Sequence, residues 1–349
     1  MRYIIVPILL FITTHAFAQA PVLTVKHNTP DTAYIEDYYH HYIVLRAYES
    51  TKFNSYQFLD NGNKVTYKPN NHNNLGLGFN YKYLSVNLGF YVPFLSKDRN
   101  KYGSTQTLDL QTHLYLQRFV IDLYGQFYKG YYLSNTSVLG ANTTGYVVRP
   151  DIHTRDISAV VQYVFSYKTF SYNAAYYQNE YQKKSAGSFI AGAGIYHTDV
   201  KADSALIPPG TIYTNFYDGR QFNTTSNNSL AGSIGYTYTY VYKKHYFLTG
   251  SLSGGLGLNY SIIDNTSTQQ SSSRLAAEYN LTARAAAGYN SDRYFAGVTY
   301  VRLTTENSAP FSRTFQDVNA GNFRVIVAKR FRMKSKSMLE KAVKKIPVQ

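Results

Sequence analysis

The sequence predicts an all-β fold, a single antiparallel transmembrane β-barrel of about 12 strands, or about 14 as the alternative. Three observations lead there: long period-two alternation of apolar and polar residues, abundant aromatic residues under a negative mean hydropathy, and an export signal at the N-terminus. Strict alternation over long segments requires a backbone that puts successive side chains on opposite faces, one dry and one wet.

The first residues, MRYIIVPILLFITTHAFAQA, carry a basic start at Arg2, an apolar stretch and small residues at Ala16 and Ala18. This pattern fits a signal peptide over 1–18 with cleavage before Gln19. The apolar stretch is shorter than the roughly 20 residues of a spanning helix. There is no Cys, which excludes lipid anchoring through an N-terminal Cys, disulfides and zinc–thiolate chemistry. The chain has 37 Tyr and 20 Phe, yet no later segment reaches the length of a spanning helix. A helical membrane protein is therefore excluded, whereas a barrel needs only every second strand residue to face lipid. No linker divides the mature chain. Residues 19–73 read as an N-terminal extension or first strands, 74–331 as the barrel, and 332–349 as a basic periplasmic tail.

The elements follow in order. In 74–92, Leu75, Leu77, Phe79 and Tyr81 alternate with Gly and Asn, and Leu84, Val86, Leu88 and Phe90 continue after a tight turn. Next, Leu108, Leu110 and Leu114 oppose Asp109, Gln111 and His113, and Phe119, Ile121 and Leu123 oppose Asp122 and Gln126. Segments 157–167, 170–181, 189–197, 230–242 and 246–262 read as further strands. In 274–289, Leu275, Tyr279 and Leu281 lie against Glu278 and Arg284, an arrangement a helix would scatter. Segments 294–303 and 322–331 complete the set.

Tight turns fall near Tyr83, Gln117, Lys168, Lys243 and Asn290, and long connections at 93–104, 132–154, 199–228, 262–273 and 305–320. Short periplasmic turns should alternate with long outer loops. They do so until 182–185, where a short link is followed by one strand and then the long 199–228 segment. The 14-strand alternative restores parity with a strand hidden in 211–219, balanced by one in 41–59.

The formal net charge of +15 is compatible with nucleic acid. The export signal argues instead for membrane electrostatics, with Arg332, Lys334, Lys336, Lys341, Lys344 and Lys345 placed to meet lipid phosphates. Candidate lumen-facing polar residues are Lys82, Asp109, His113, Asp122, Glu278, Arg284, Arg324 and Arg330. They would either tune a solute path or pair with one another to satisfy a filled interior.

A hydrolase would need a Ser nucleophile beside a His base. His113, His153 and His197 are present, but no GxSxG-like elbow is. His40 and His41 point to opposite faces of a strand, which argues against one shared metal, and His72 stands apart. Glycine-rich pieces such as Gly254, Gly255 and Gly257 lack a Walker lysine and read as close packing. No catalytic, cofactor-binding or metal-binding residue is therefore assigned.

Three stretches carry a family resemblance: NNLGLGFNYKYLSVNLGF at 73–90, LDLQTHLYLQRFVIDLYGQFYKG at 108–130, and YVFSYKTFSYNAAYYQNEYQKKSAGS at 163–188. With Arg46 and Lys52, these resemble the outer-membrane proteins grouped as domain of unknown function 4421. The resemblance implies a barrel and no chemistry. The expectation is a non-enzymatic protein of the cell outer membrane, structural or a narrow selective pore. The alternatives are an outer-membrane lipid or lipopolysaccharide acyl hydrolase, and a surface module binding through loops 132–154 and 199–228. The partners expected are outer-membrane lipids, lipopolysaccharide, the barrel-assembly machinery and, for a pore, a small-molecule or ion solute. Nucleic acid is not among them.

Overall fold

The computed structural model describes residues 29–333 apart from 39–41, 71–72, 82–83, 92–98, 141–144, 214 and 266–267. The signal peptide expected at 1–18, the tail beyond Met333 and Lys82 lie outside the described residues. Ten strands close an antiparallel ring. In chain order they are β2 (Tyr42–Asp60), β3 (Asn63–Lys68), β8 (Phe119–Leu133), β9 (Val147–Val164), β11 (Ala186–Lys201), β12 (Thr224–Tyr242), β13 (Tyr246–Asn265), β14 (Gln270–Asn290), β15 (Tyr294–Ser308) and β16 (Thr314–Arg332).

The seam pairs β16 with β2 from Thr314↔Asp60 to Arg332↔Tyr42. On the other side β3 meets β8 only at Tyr67↔Leu133 and Lys68↔Tyr132. Four further strands extend this sheet: β4 (Asn73–Tyr81), β5 (Leu84–Tyr91), β6 (Gln106–Asp109) and β7 (Thr112–Tyr115). β4 follows β3 along β2, and β5 pairs with β4. β6 and β7 lie in succession along β8, after the short helix α1 (Arg99–Tyr102). Asn61 and Gly62 join β2 to β3 with φ of 49° and 84°, the doubly left-handed pair that a two-residue hairpin requires.

Alternation places these strands inside out relative to a water-soluble protein. Ile234 and Leu256 are 74% and 67% exposed, whereas Thr249 and Arg284 on the inner wall are 0% and 2% exposed. Leu248, Leu252, Leu256 and Leu258 stand in one outward row. From Leu248 to Leu258 the strand covers about 34 Å, or about 25 Å along the axis at the tilt usual for barrels. Tyr240, Tyr242 and Tyr246 flank this row at one end and Tyr260 at the other, all outward.

Several expectations need correction. The hairpin at 74–92 exists as β4 and β5, but these belong to the extra strands, and the wall itself starts in 42–68. Segment 170–181 is not a wall strand. It forms helix α2 (Tyr172–Tyr176) and leads into β10 (Glu180–Gln182), which pairs with β1 (Ile35–Asp37) in a separate two-stranded sheet. With that segment removed from the wall, 165–185 becomes one connection at the end that also carries the turns 243–245 and 291–293, which restores strand parity, although this connection is itself long and lies between the long links 134–146 and 202–223. The strand sought in 211–219 is absent among the described residues, which form turns and a 3₁₀ turn at Phe216–Gly219. Much of 262–273 and 305–320 is strand, because pairing continues beyond the apolar belt.

Candidate functional site: a barrel interior filled in three tiers

The lower tier is built by 165–185, which folds inward from the end where β9 and β11 meet. Ser171 caps α2 by accepting from the Ala174 amide at 3.0 Å and donates to the Glu180 carboxylate. Phe170, Tyr172, Ala175 and Tyr176 bury against Phe247, Ala286, Phe295 and Ile326 of the wall. Arg330 then fastens the segment: Nε donates to the Gln178 carbonyl at 2.8 Å, Nη2 to the Glu180 carbonyl at 3.3 Å and Asn290 Oδ1 at 2.9 Å, and Nη1 to the Ser291 carbonyl at 2.5 Å. Arg46 donates to Gln178 Oε1 at 3.2 Å and to Asn80 Oδ1. Gln178 is fully buried at a left-handed φ of 60°, so its wall contacts hold a backbone that few residues adopt.

The middle tier is polar. Asp122 accepts from Arg284 and lies 2.7 Å from His113 Nδ1. Asn322 Nδ2 is 3.0 Å from His113 Nε2. An amide nitrogen can only donate, so Nε2 accepts and the proton sits on Nδ1, directed at Asp122. Arg284 Nη1 donates to Gln162 at 3.0 Å, and Gln162 donates to Ser253 at 2.9 Å. Alongside, Asp109 takes an ion pair from Lys52 at 2.9 Å and hydrogen bonds from Gln126 at 2.8 Å and Tyr128 at 2.5 Å. Glu278 is fully buried beside Asn280, with Oε2 unbonded.

The upper tier is apolar. Leu206, Ile207, Phe216, Tyr217 and Phe222 of the β11–β12 connection pack on Phe58, Tyr67 and Tyr131 of the wall. Tyr217 donates its amide to Asp60 at 2.7 Å and its hydroxyl to the Phe315 carbonyl at 2.6 Å. Burial pushes the Tyr217 phenol well above its ordinary range. The segment expected as an outer loop at 199–228 therefore turns its apolar residues into the barrel mouth.

Of the predicted polar set, Asp109, His113, Asp122, Glu278, Arg284, Arg324 and Arg330 all lie on the inner wall. Asp122, His113 and Arg284 come together, Asp109 joins Lys52 instead, Arg330 serves the lower tier, and Glu278 stands apart. Gln162, Gln178 and Asn322 were not singled out, and Arg46 entered only through the family resemblance. For the lower tier the sequence held a signal: Tyr172, Ala174, Ala175 and Tyr176 crowd together after a capping Ser171, which breaks period two. Among the described residues no group of three or more His, Cys, Asp or Glu side chains is placed to hold a metal ion.

Among solved structures, the chain is similar to the attachment invasion locus protein Ail of Yersinia pestis, at 9% identity and a TM-score of 0.24, covering 82% of this chain and 99% of that one. It is also similar to the translocator domain of the autotransporter NalP from Neisseria meningitidis, at 10% identity and 0.31, covering 83% and 88%. The outer membrane protein OprG from Pseudomonas aeruginosa aligns at 10% identity and 0.20, covering 85% and 99%. Likeness at this level assigns no function. No curated protein matches the chain. The family model described as Domain of unknown function (DUF4421) matches residues 29–331, so the chain belongs to that family.

Proposed function

We propose that the protein is an integral β-barrel of the bacterial outer membrane, non-enzymatic, with an interior sealed in its resting state and a structural role. The observation that carries this reading is the outward belt of Leu, Ile and Tyr around a polar interior. Water would penalise such a belt and lipid would stabilise it, at roughly 25 cal/mol per Å² of apolar surface. Counting β3 with β4 and β6 with β7 as single interrupted strands, with β5 between them, gives the even number of about 12 usual for bacterial barrels. The strand ends at Tyr42 and Arg332 and the short turns would then face the periplasm. The filled tiers favour a structural role over an open porin, and a narrow pore would require the lower tier to leave. Both ring nitrogens of His113 are committed, one to Asp122 and the other to Asn322, which leaves neither free to serve as a general base.

Cell fractionation and planar-bilayer recording test the reading together. The expected result is a heat-modifiable band in the outer-membrane fraction and no stepwise conductance from the wild type. A soluble periplasmic protein would overturn the membrane placement, and steady wild-type conductance would overturn the sealed interior.

A further inference from the structure

Beyond the apolar belt, the outward face of β8, β9 and β11 turns basic. Lys129, His153 and Lys201 stand directly opposite one another in register, all exposed, and none has a hydrogen bond or ion pair among the described residues. Basic side chains set face to face across strands repel one another when charged, so the row weakens the wall unless an anion covers it. The next row holds Arg155, which donates to Asp199 and to His197 Nε2 at 3.0 Å. Asp199 is the one carboxylate that β8, β9 and β11 place in these two rows. Asp151, further along β9, is taken by Arg149 at 2.7 Å, and β12 sets only Thr224 and Ser226 opposite Lys201 and Asp199.

A bare strip leads from this patch through the belt. Ala159 shares the outward face of Arg155 on β9, and from it Ala193, Gly232 and Gly254 run diagonally across β11, β12 and β13. Ile195, Leu230 and Leu256 stand along one side of the strip, Val161 and Ile234 along the other. Close packing does not impose these glycines: a Cβ on Gly254 would meet nothing within 4 Å, and one on Gly232 only the Gly192 carbonyl at 3.9 Å. Glycine inside a strand weakens it, and a larger apolar residue here would have joined the belt. At about 4.8 Å per strand and 3.4 Å per residue the strip runs about 20 Å, enough for an acyl chain crossing one leaflet of about 15 Å.

We propose that this face docks an anionic lipid, its phosphate held by Lys129, His153, Arg155 and Lys201 and one acyl chain lying in the strip from Ala159 to Gly254. The charge selects a phosphorylated headgroup, and the adjoining apolar strip selects a lipid over a free anion. This docking rests on the membrane placement proposed above.

The full chain, folded in a nonionic detergent, is offered diphosphorylated lipid A, phosphatidylcholine or inorganic phosphate and weighed by native mass spectrometry. One lipid A retained per chain is expected, with neither other probe held at the same concentration. The double variant Lys129→Gln with Lys201→Gln should weaken retention about tenfold or more, the loss of at least one charge-assisted bond. Gly232→Leu keeps every charge, fills the strip and adds to the outward belt, so it should fold and also weaken retention. Lys329→Gln, outward at the opposite end of the barrel, should retain lipid A as the wild type does. Retention of phosphatidylcholine as strong as that of lipid A, binding of inorganic phosphate without lipid, or full retention by either the double variant or Gly232→Leu overturns the docking. A heat-modifiable chain that retains no lipid A overturns the docking alone, whereas a chain that stays folded and dispersed without detergent overturns the membrane placement as well.

Discussion

Removing the Asp122 carboxylate should be among the most destabilising single changes in the barrel. Asp122 accepts from both Arg284 and His113, and Arg284 is fully buried. In Asp122→Ala the guanidinium keeps only the Gln162 acceptor at 3.0 Å. Breaking a buried ion pair from one side costs about 3–5 kcal/mol, because the remaining charge is uncompensated. That corresponds to roughly two to three and a half orders of magnitude in the folding equilibrium. The double variant Asp122→Leu with Arg284→Met removes both charges and should recover to within about 1–2 kcal/mol of the wild type. Since the chain has no Trp, the folded fraction is best read from the heat-modifiable band across a urea series in lipid vesicles. The reasoning fails if Asp122→Ala lies within about 1 kcal/mol of the wild type, or if the double variant is no better than the single one.

Three other outcomes follow from the same architecture. Leu256→Arg on the outward row should cost about 2–4 kcal/mol in bilayers while Leu256→Phe changes little, measured by the same urea series. Equal tolerance of both would sink the belt. Arg330→Ala removes the fastening of the lower tier, so trypsin should cut faster at Lys183 and Lys184 and bilayers should show intermittent conductance; unchanged digestion and silent bilayers would mean that Arg330 does not hold the tier. Tyr217→Phe loses one hydrogen bond, about 0.5–1.5 kcal/mol, whereas Tyr217→Ala leaves a hole in the upper tier worth about 3–5 kcal/mol. Limited proteolysis within 202–223 should rank them in that order, and the reverse order would contradict the packing described.

The wall was legible wherever its two faces differ in polarity. In β13 and β14, Leu248 to Leu258 and Leu275 to Leu281 read outward from the sequence and are outward in the structure. The same parity assigned Asp109, Asp122, Glu278 and Arg284 to the inside. What parity could not supply is height and angle around the barrel. Asp122 and Arg284 are 162 residues apart, and only strand order and register bring them level. Strand ends were also hidden: Thr224 to Asn228 pair fully with β13, yet all five are polar, so no alternation marks them. The lower tier escaped because aromatic residues suit both a lipid-facing strand and a packed plug. Phe170, Tyr172 and Tyr181 satisfied the composition of the first while serving the second.

Gln178 touches both strands of the closing seam. Its carbonyl accepts from Arg330 on β16, and its side-chain oxygen accepts from Arg46 on β2. Antiparallel strands can slip by two residues and keep every side chain on its proper face, so alternation alone does not forbid that error. Such a slip would carry one guanidinium about 7 Å along the axis of its strand, at about 3.4 Å per residue, and out of reach of this single residue. The plug segment is therefore a gauge as well as a stopper: it reads the alignment of two strands from opposite ends of the chain and accepts the one in which both arginines arrive at the same height.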